Sequence, residues 1–182
     1  LVLNHLDLYI GTYKQCQKKC LRMFNIKNNF LSNKDYKEIY NILTNEAFPW
    51  YYNNYKGTKE EKLLEYQFVH TFFNEKVTSP FYQFLNPILK KLKIKKLIKV
   101  KANLNPISQK IIKFNTHQDS LNKNYVSSIF YINTNNGYTK IDNKKIKSQS
   151  NKIITFCSKK KHYGTNSTNL NNRIVINFIY VI

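Results

Sequence analysis

Two histidines, one aspartate and one arginine are the residues of this chain whose types and order could do chemistry. His117 and Asp119 lie two apart, His162 follows 43 residues after Asp119, and Arg173 comes 11 residues later. Two imidazoles and a carboxylate can occupy one face of an octahedral Fe(II), leaving three positions for a chelating co-substrate and O2. A guanidinium suits the far end of a dicarboxylate co-substrate, which it can hold through two parallel hydrogen bonds. The supply of these residues is small: the chain has four histidines, and only Arg22 and Arg173 as arginines. Their order and spacing therefore carry more weight than an isolated His-x-Asp would.

The elements that must position this set read mostly as strands. From about residue 95 onward, strand patterns are expected at 96–104 (KLIKVKANL), 111–117, 125–132 (YVSSIFYI), 138–142, 145–148, 151–157 (NKIITFC) and 173–181 (RIVINFIYV). Clusters of Asn, Gly, Ser and Lys separate them, and NTNNG at 133–137 is the clearest turn. Many short strands joined by turns imply an antiparallel sandwich or barrel, of which the jelly roll is one of few forms. His117 and Asp119 alternate with Gln118, so both point to one side where a strand ends. His162 falls in the next turn, KKKHYGT. Arg173 opens the last strand and shares a face with Val175, Asn177 and Ile179. If that face lines the interior, the guanidinium is buried and needs an anion. The last strand is apolar on both faces apart from Arg173 and Asn177, so something must cover its outer face.

The N-terminal half supplies the natural cover. Tyr36, Ile39, Tyr40, Leu43 and Ala47 recur at helical spacing after a capping-box-like start at Ser32 and Asp35. A second stripe, Phe81, Phe84, Leu85, Ile88, Leu89 and Leu92, begins at Ser79-Pro80 and opposes Lys90, Lys91 and Lys93; Pro87 is expected to kink that helix. Between them FPWYYNNY (48–55) and EYQFVHTFF (65–73) are aromatic-rich and read as strands. The Trp50 cluster reads as core, the alternative being that Tyr51 or Tyr52 lines a substrate entrance. His70 reads as a satisfied structural histidine.

At 182 residues and 42% apolar content the chain can bury a sizeable core, and no composition shift marks a boundary. One domain over 1–182 is expected, with 1–94 as helical and aromatic support and 95–182 as the jelly-roll core. A net charge of +20 brings nucleic acid to mind. The basic residues are almost all Lys, however, and Lys, Asn and Ile abound as AT-rich coding sequence produces. A base-reading groove wants the planar fork of Arg, so the charge reads as a solvated surface rather than a nucleic-acid site. No apolar run is long enough to span a bilayer. Residues 1–10 (LVLNHLDLYI) lack the basic leader of a signal peptide, and a start at Leu rather than Met suggests residues missing there. Cys16 and Cys20 lack partner ligands at zinc-finger spacing, and Cys157 sits in a strand pattern; reduced thiols in a cytoplasmic protein are expected.

Four local stretches carry a family likeness: HQD (117–119), IFYIN (129–133), NGYT (136–139), and HYGT (162–165) followed by RIVINF (173–178). With these, residues from about 97 to 181 resemble the Fe(II)/2-oxoglutarate-dependent oxygenases, and among them the compact prolyl-hydroxylase-like type. The resemblance implies a mainly β fold with flanking α, a double-stranded β-helix (jelly roll, cupin-like) covered by N-terminal helices. It implies His117, Asp119 and His162 as iron ligands and Arg173 as the residue binding the C5 carboxylate of 2-oxoglutarate. Tyr131 matches a tyrosine that often binds the same carboxylate, though on an apolar strand it could equally be packing. Thr139 falls where a Thr or Leu flanks the co-substrate. Asn177 stands where members often carry Ser or Thr after the arginine, and Asn103 is the nearest polar candidate for a tyrosine that many carry on the strand before His-x-Asp.

The likeness also implies the reaction. Fe(II), 2-oxoglutarate and O2 would hydroxylate a C–H bond of a prolyl residue or a small metabolite, releasing succinate and CO2. Asp119 favours hydroxylation over halogenation, since halogenases leave that position to chloride. Alkylated-base demethylases carry a second arginine where this chain has Ile179, which again argues against nucleic acid. The rival expectation is a non-catalytic jelly-roll binding module with a basic surface and a vestigial metal site.

Overall fold

The computed structural model describes residues 23–54 and 66–182. Cys16, Cys20, Arg22, the first ten residues and the adjoining ends of the two aromatic stretches, Tyr55 and Glu65, lie outside the described residues. The described chain runs β1 (Phe24–Lys27), α1 (Asn33–Thr44), β2 (Tyr51–Asn53), β3 (Gln67–Asn74), β4 (Lys76–Val77), a 3-10 helix (Pro80–Leu85), α2 (Asn86–Leu92), β5 (Lys96–Pro106), β6 (Val126–Tyr131), β7 (Tyr138–Ile141), β8 (Lys144–Lys147), β9 (Lys152–Cys157), β10 (His162–Gly164) and β11 (Asn172–Val181). These strands form two antiparallel sheets, ordered β1-β9-β6-β11-β5-β3-β2 with β4 beside β3, and β10-β7-β8. This is the jelly-roll architecture expected from the strand pattern. The large sheet draws strands from both halves of the chain, since β1 to β4 all precede residue 95.

The period-2 geometry of β11 decides what lies where. Ile174, Ile176, Phe178 and Tyr180 are buried against Ile39 and Leu43 of α1 and Ile88 and Leu92 of α2 in the main core. The helices thus cover the outer face of the last strand, as its two-sided apolar pattern demands. Between the sheets a second cluster joins Ile129, Tyr131, Ile154, Phe156 and Val175 to Ile141 and Ile146. Burying Ile39 and Leu43 stabilises the helical cover by about 1.5–3 kcal/mol each. The α1 start is as expected: the Ser32 hydroxyl accepts the Asp35 amide at 3.1 Å, satisfying one of the first-turn donors.

Four expectations are corrected. Pro87 does not kink a continuous helix; it sits in the first turn of α2, directly after the 3-10 helix, where its missing N–H costs nothing. Segment 111–117 is not a regular strand and makes only isolated bridges, Lys113 with Thr165 and His117 with His162. Conversely, His162 lies in strand β10 rather than in a turn. In the first aromatic stretch only Tyr51–Asn53 pairs as a strand. Phe48 instead tucks against Trp50, Phe72 and Phe81, so that cluster is core. No helix among the described residues is long and apolar enough to cross a membrane.

Candidate metal and co-substrate site

Isolated bridging brings the ligand set together. His117 and His162 exchange backbone hydrogen bonds at 2.9 Å, and the Asp119 amide donates to Ser158 O at 3.1 Å. Two segments distant in sequence, 117–119 and 158–162, therefore converge here. The ligand atoms of His117, Asp119 and His162 lie within 4.8 Å of one another. Each imidazole places Nε2 toward the carboxylate, at 3.7 Å for His117 and 3.6 Å for His162.

The far nitrogens of both rings are committed elsewhere. Nδ1 of His117 sits 3.0 Å from Asn115 O, and Nδ1 of His162 sits 3.0 Å from Lys160 O. A carbonyl only accepts, so each Nδ1 must carry the proton and each Nε2 keeps its lone pair for a metal. Burial holds the His162 imidazole below its ordinary pKa, although the neighbouring Asp119 opposes this. Its neutral, ligating form is therefore favoured. The Ser127 hydroxyl donates to Asp119 Oδ2 at 2.5 Å and lies 2.8 Å from the Ser158 hydroxyl, fixing the carboxylate. A two-imidazole, one-carboxylate set with both tautomers fixed fits Fe(II).

Arg173 lies in the same cavity, which has a volume of about 380 Å³. Its residue is only 2% exposed. Nε donates to Ser148 Oγ at 2.7 Å and Nη2 to Thr139 Oγ1 at 3.0 Å. Among the described residues it forms no ion pair. A buried, uncompensated guanidinium is costly, and burial pulls its pKa below the ordinary arginine value. A buried cation that lacks an anion partner is the charge complement a carboxylate needs. Gly137 makes the room: a Cβ there would collide with Asn166 O and come 2.6 Å from Arg173 Cδ.

The remaining sequence candidates also gather here. Thr139, Asn103 and Asn177 line the cavity together with His117, Asp119, His162 and Arg173. Tyr131 is fully buried beneath the guanidinium, 5.6 Å from ring centroid to Cζ, and its hydroxyl, beside Arg173 and Thr139, makes no well-formed hydrogen bond among the described residues. Burial pushes its pKa up, and the adjacent Arg173 cation offsets part of that rise. Tyr51 and Tyr52 are 61% and 60% exposed, whereas Asn53 of the same strand lines the cavity. His70 is structural, held between Pro49 O and Ser79 Oγ at 2.7 Å each.

Sequence reasoning missed Ser127, Ser148, Ser158, Asn105 and the pair Lys99 and Lys101. Ser127 had a signal: it is polar within YVSSIFYI and shares a face with Ile129 and Tyr131. Lys99 and Lys101 also had one, since β5 alternates so that they share a face with Asn103. Ser148 and Ser158 left none, because only tertiary folding brings them to the site.

No family model matches this sequence, and no curated protein matches it. Solved structures do match in fold. A prolyl hydroxylase in complex with a hypoxia inducible factor oxygen degradation domain peptide fragment, from Trichoplax adhaerens, superposes with a TM-score of 0.64 at 14% identity, covering 96% of this chain and 92% of that one. A 2OG-Fe(II) oxygenase family oxidoreductase from Burkholderia pseudomallei gives 0.66 at 10% identity, covering 100% and 93%. The non-heme alpha-ketoglutarate-dependent epimerase of nogalamycin biosynthesis gives 0.64 at 9%, covering 94% and 83%. The fold is thus the one these prolyl hydroxylases and 2OG-Fe(II) oxygenases share.

Proposed function

We propose that this protein is an Fe(II)- and 2-oxoglutarate-dependent dioxygenase that hydroxylates a C–H bond of a prolyl residue or a small metabolite, over a single domain comprising the whole chain. The observation that carries the proposal is Arg173, a buried cation with no ion pair among the described residues, in one cavity with a His-Asp-His cluster. A structural site needs no such pairing of a metal set with an unmet anion requirement, so a non-catalytic module is not favoured.

Each residue has a role in this reading. His117 Nε2, His162 Nε2 and the Asp119 carboxylate hold the metal, and Ser127 keeps the carboxylate from rotating. Arg173 binds the distal carboxylate of 2-oxoglutarate, with Thr139 orienting its Nη2. Tyr131 offers its hydroxyl to the same carboxylate, and Asn103 and Asn177 supply amides along the cavity wall. Ile129, Val175 and Ile179 exclude water from it. The bound iron with its co-substrate and O2 supplies the oxidative chemistry, with succinate and CO2 as co-products. The protein contributes position and a dry pocket.

The test is anaerobic. Adding 2-oxoglutarate to the Fe(II)-loaded protein should raise a weak visible charge-transfer band, absent from Asp119→Ala. A band-free wild type with bound iron would overturn the proposal.

A further inference from the structure

One strand of the cavity wall carries charges that the reading above does not use. Along β5, Lys99, Lys101, Asn103 and Asn105 alternate onto the cavity face, opposite Ile179, Asn177, Val175 and Arg173 of β11. The strand therefore runs from Arg173, through two amides, to two lysines. These lysines are half-buried and lie on the metal side, since Ile179 pairs with Lys99 on one side and on the other with Ser127, whose hydroxyl holds Asp119. Neither lysine is within ion-pair distance of a carboxylate among the described residues. Asp119 is engaged elsewhere: its Oδ2 accepts from Ser127 and both oxygens face the imidazoles.

Charge balance sharpens the point. With metal and co-substrate bound, the 2-oxoglutarate dianion offsets Fe(II), and Asp119 offsets Arg173. The charges of Lys99 and Lys101 are left over, in a cavity lined by no carboxylate other than Asp119 among the described residues and by the amides of Asn53, Gln67, Asn103, Asn105 and Asn177. Among the described residues the Oδ1 atoms of Asn103 and Asn105 are buried without partners, although both residues are at least nine-tenths buried and face the cavity. Two adjacent like charges at a half-buried site are unfavourable unless an anion binds between them. A cavity of about 380 Å³ lies in the range used for small ligands.

Resting on the oxygenase reading, we propose that the substrate is a small anionic metabolite whose carboxylate or phosphate oxygens are held by Lys101 together with Lys99, beside the metal. Lys101 is then a specificity-determining residue. It selects the substrate by charge, and the unpartnered amide oxygen of Asn103 accepts a hydrogen bond from a hydroxyl or amine of that molecule.

The test uses the full chain with Fe(II), 2-oxoglutarate and O2, and reads succinate formation. Its panel pairs carboxylate-bearing and phosphate-bearing metabolites with their methyl esters, amides or dephosphorylated forms, and includes an acidic Pro-containing peptide. Stimulation by an anionic metabolite and not by its neutral counterpart is expected, and the carboxylate and phosphate arms tell the two sources apart. For that metabolite Lys101→Met should raise KM about 10- to 100-fold, the loss of one charge-assisted hydrogen bond. Lys101→Arg should restore most of it, and Lys96→Met, on the same strand but exposed, should behave as wild type. The proposal is overturned by a neutral counterpart that stimulates equally, by stimulation from the peptide alone or from nothing in the panel, or by a wild-type KM in Lys101→Met. Failure of the underlying reading is seen separately, as no visible band and no succinate in the wild type under any condition.

Discussion

Replacing Arg173 with Met should separate co-substrate binding from folding. Arg173 is 2% exposed, donates to two hydroxyls and forms no ion pair among the described residues, so its charge is not compensated in the ligand-free protein. Removing a buried uncompensated cation does not destabilise as breaking a buried pair does, and the variant should melt no lower than wild type without ligand. With ligand the order reverses. Truncating one partner of a buried charge pair costs about 2–5 kcal/mol, or roughly 30- to 4,000-fold in 2-oxoglutarate affinity. The assay is thermal unfolding with Mn(II) in place of Fe(II), with and without 2-oxoglutarate. At a hundred times Kd the wild type gains about 2.7 kcal/mol. For a chain of this size that is about 5–11 °C in Tm. At the same concentration a thirtyfold weaker variant gains at most about 1 kcal/mol, or about 2–4 °C. A Met variant that keeps the full 2-oxoglutarate shift would refute the assignment of Arg173 as the anchor.

Three further outcomes are expected. Ser127→Ala removes the 2.5 Å hydrogen bond to Asp119 and should weaken metal binding about 10- to 100-fold by competition titration, with little change in Tm. Gly137→Ala must push against Asn166 O and Arg173 Cδ, so overpacking of about 1–3 kcal/mol and a raised KM for 2-oxoglutarate should appear together. His70 is buried, and burial lowers its pKa. Its unfolded form therefore takes up a proton first, and stability should fall as pH drops below about 6.5 toward the lower folded value. His70→Gln should flatten that slope in denaturant melts at constant metal saturation.

Much of this was legible in the sequence because it depended on local pattern. The two-sided apolar character of 173–181 called for a covered sheet, and α1 and α2 with the 3-10 helix provide that cover. His117, Asp119, His162 and Arg173 were identifiable because scarce residue types stood in order and because the stretches around them resemble those of the Fe(II)/2-oxoglutarate-dependent oxygenases. What failed had tertiary causes. Segment 111–117 has strand propensity but is held by isolated bridges, leaving its backbone free to turn His117 and Asp119 toward His162. Residues 162–164 read as a turn because their lysine-rich approach is polar, yet pairing with β7 makes them a strand. Pro87 marked a helix boundary rather than a kink. β1, FNIK, is mostly exposed and short, and only its pairing with β9 defines it. Lys99 and Lys101 were dissolved in a background of lysine, and their significance depends on which face of β5 meets the cavity.

The account is tested most directly by succinate formation from 2-oxoglutarate in air, comparing the wild type with His162→Ala at equal protein and saturating Fe(II). The wild type should form succinate only when Fe(II) is present, and His162→Ala should form none. Iron-independent succinate, or succinate retained by His162→Ala, would contradict it.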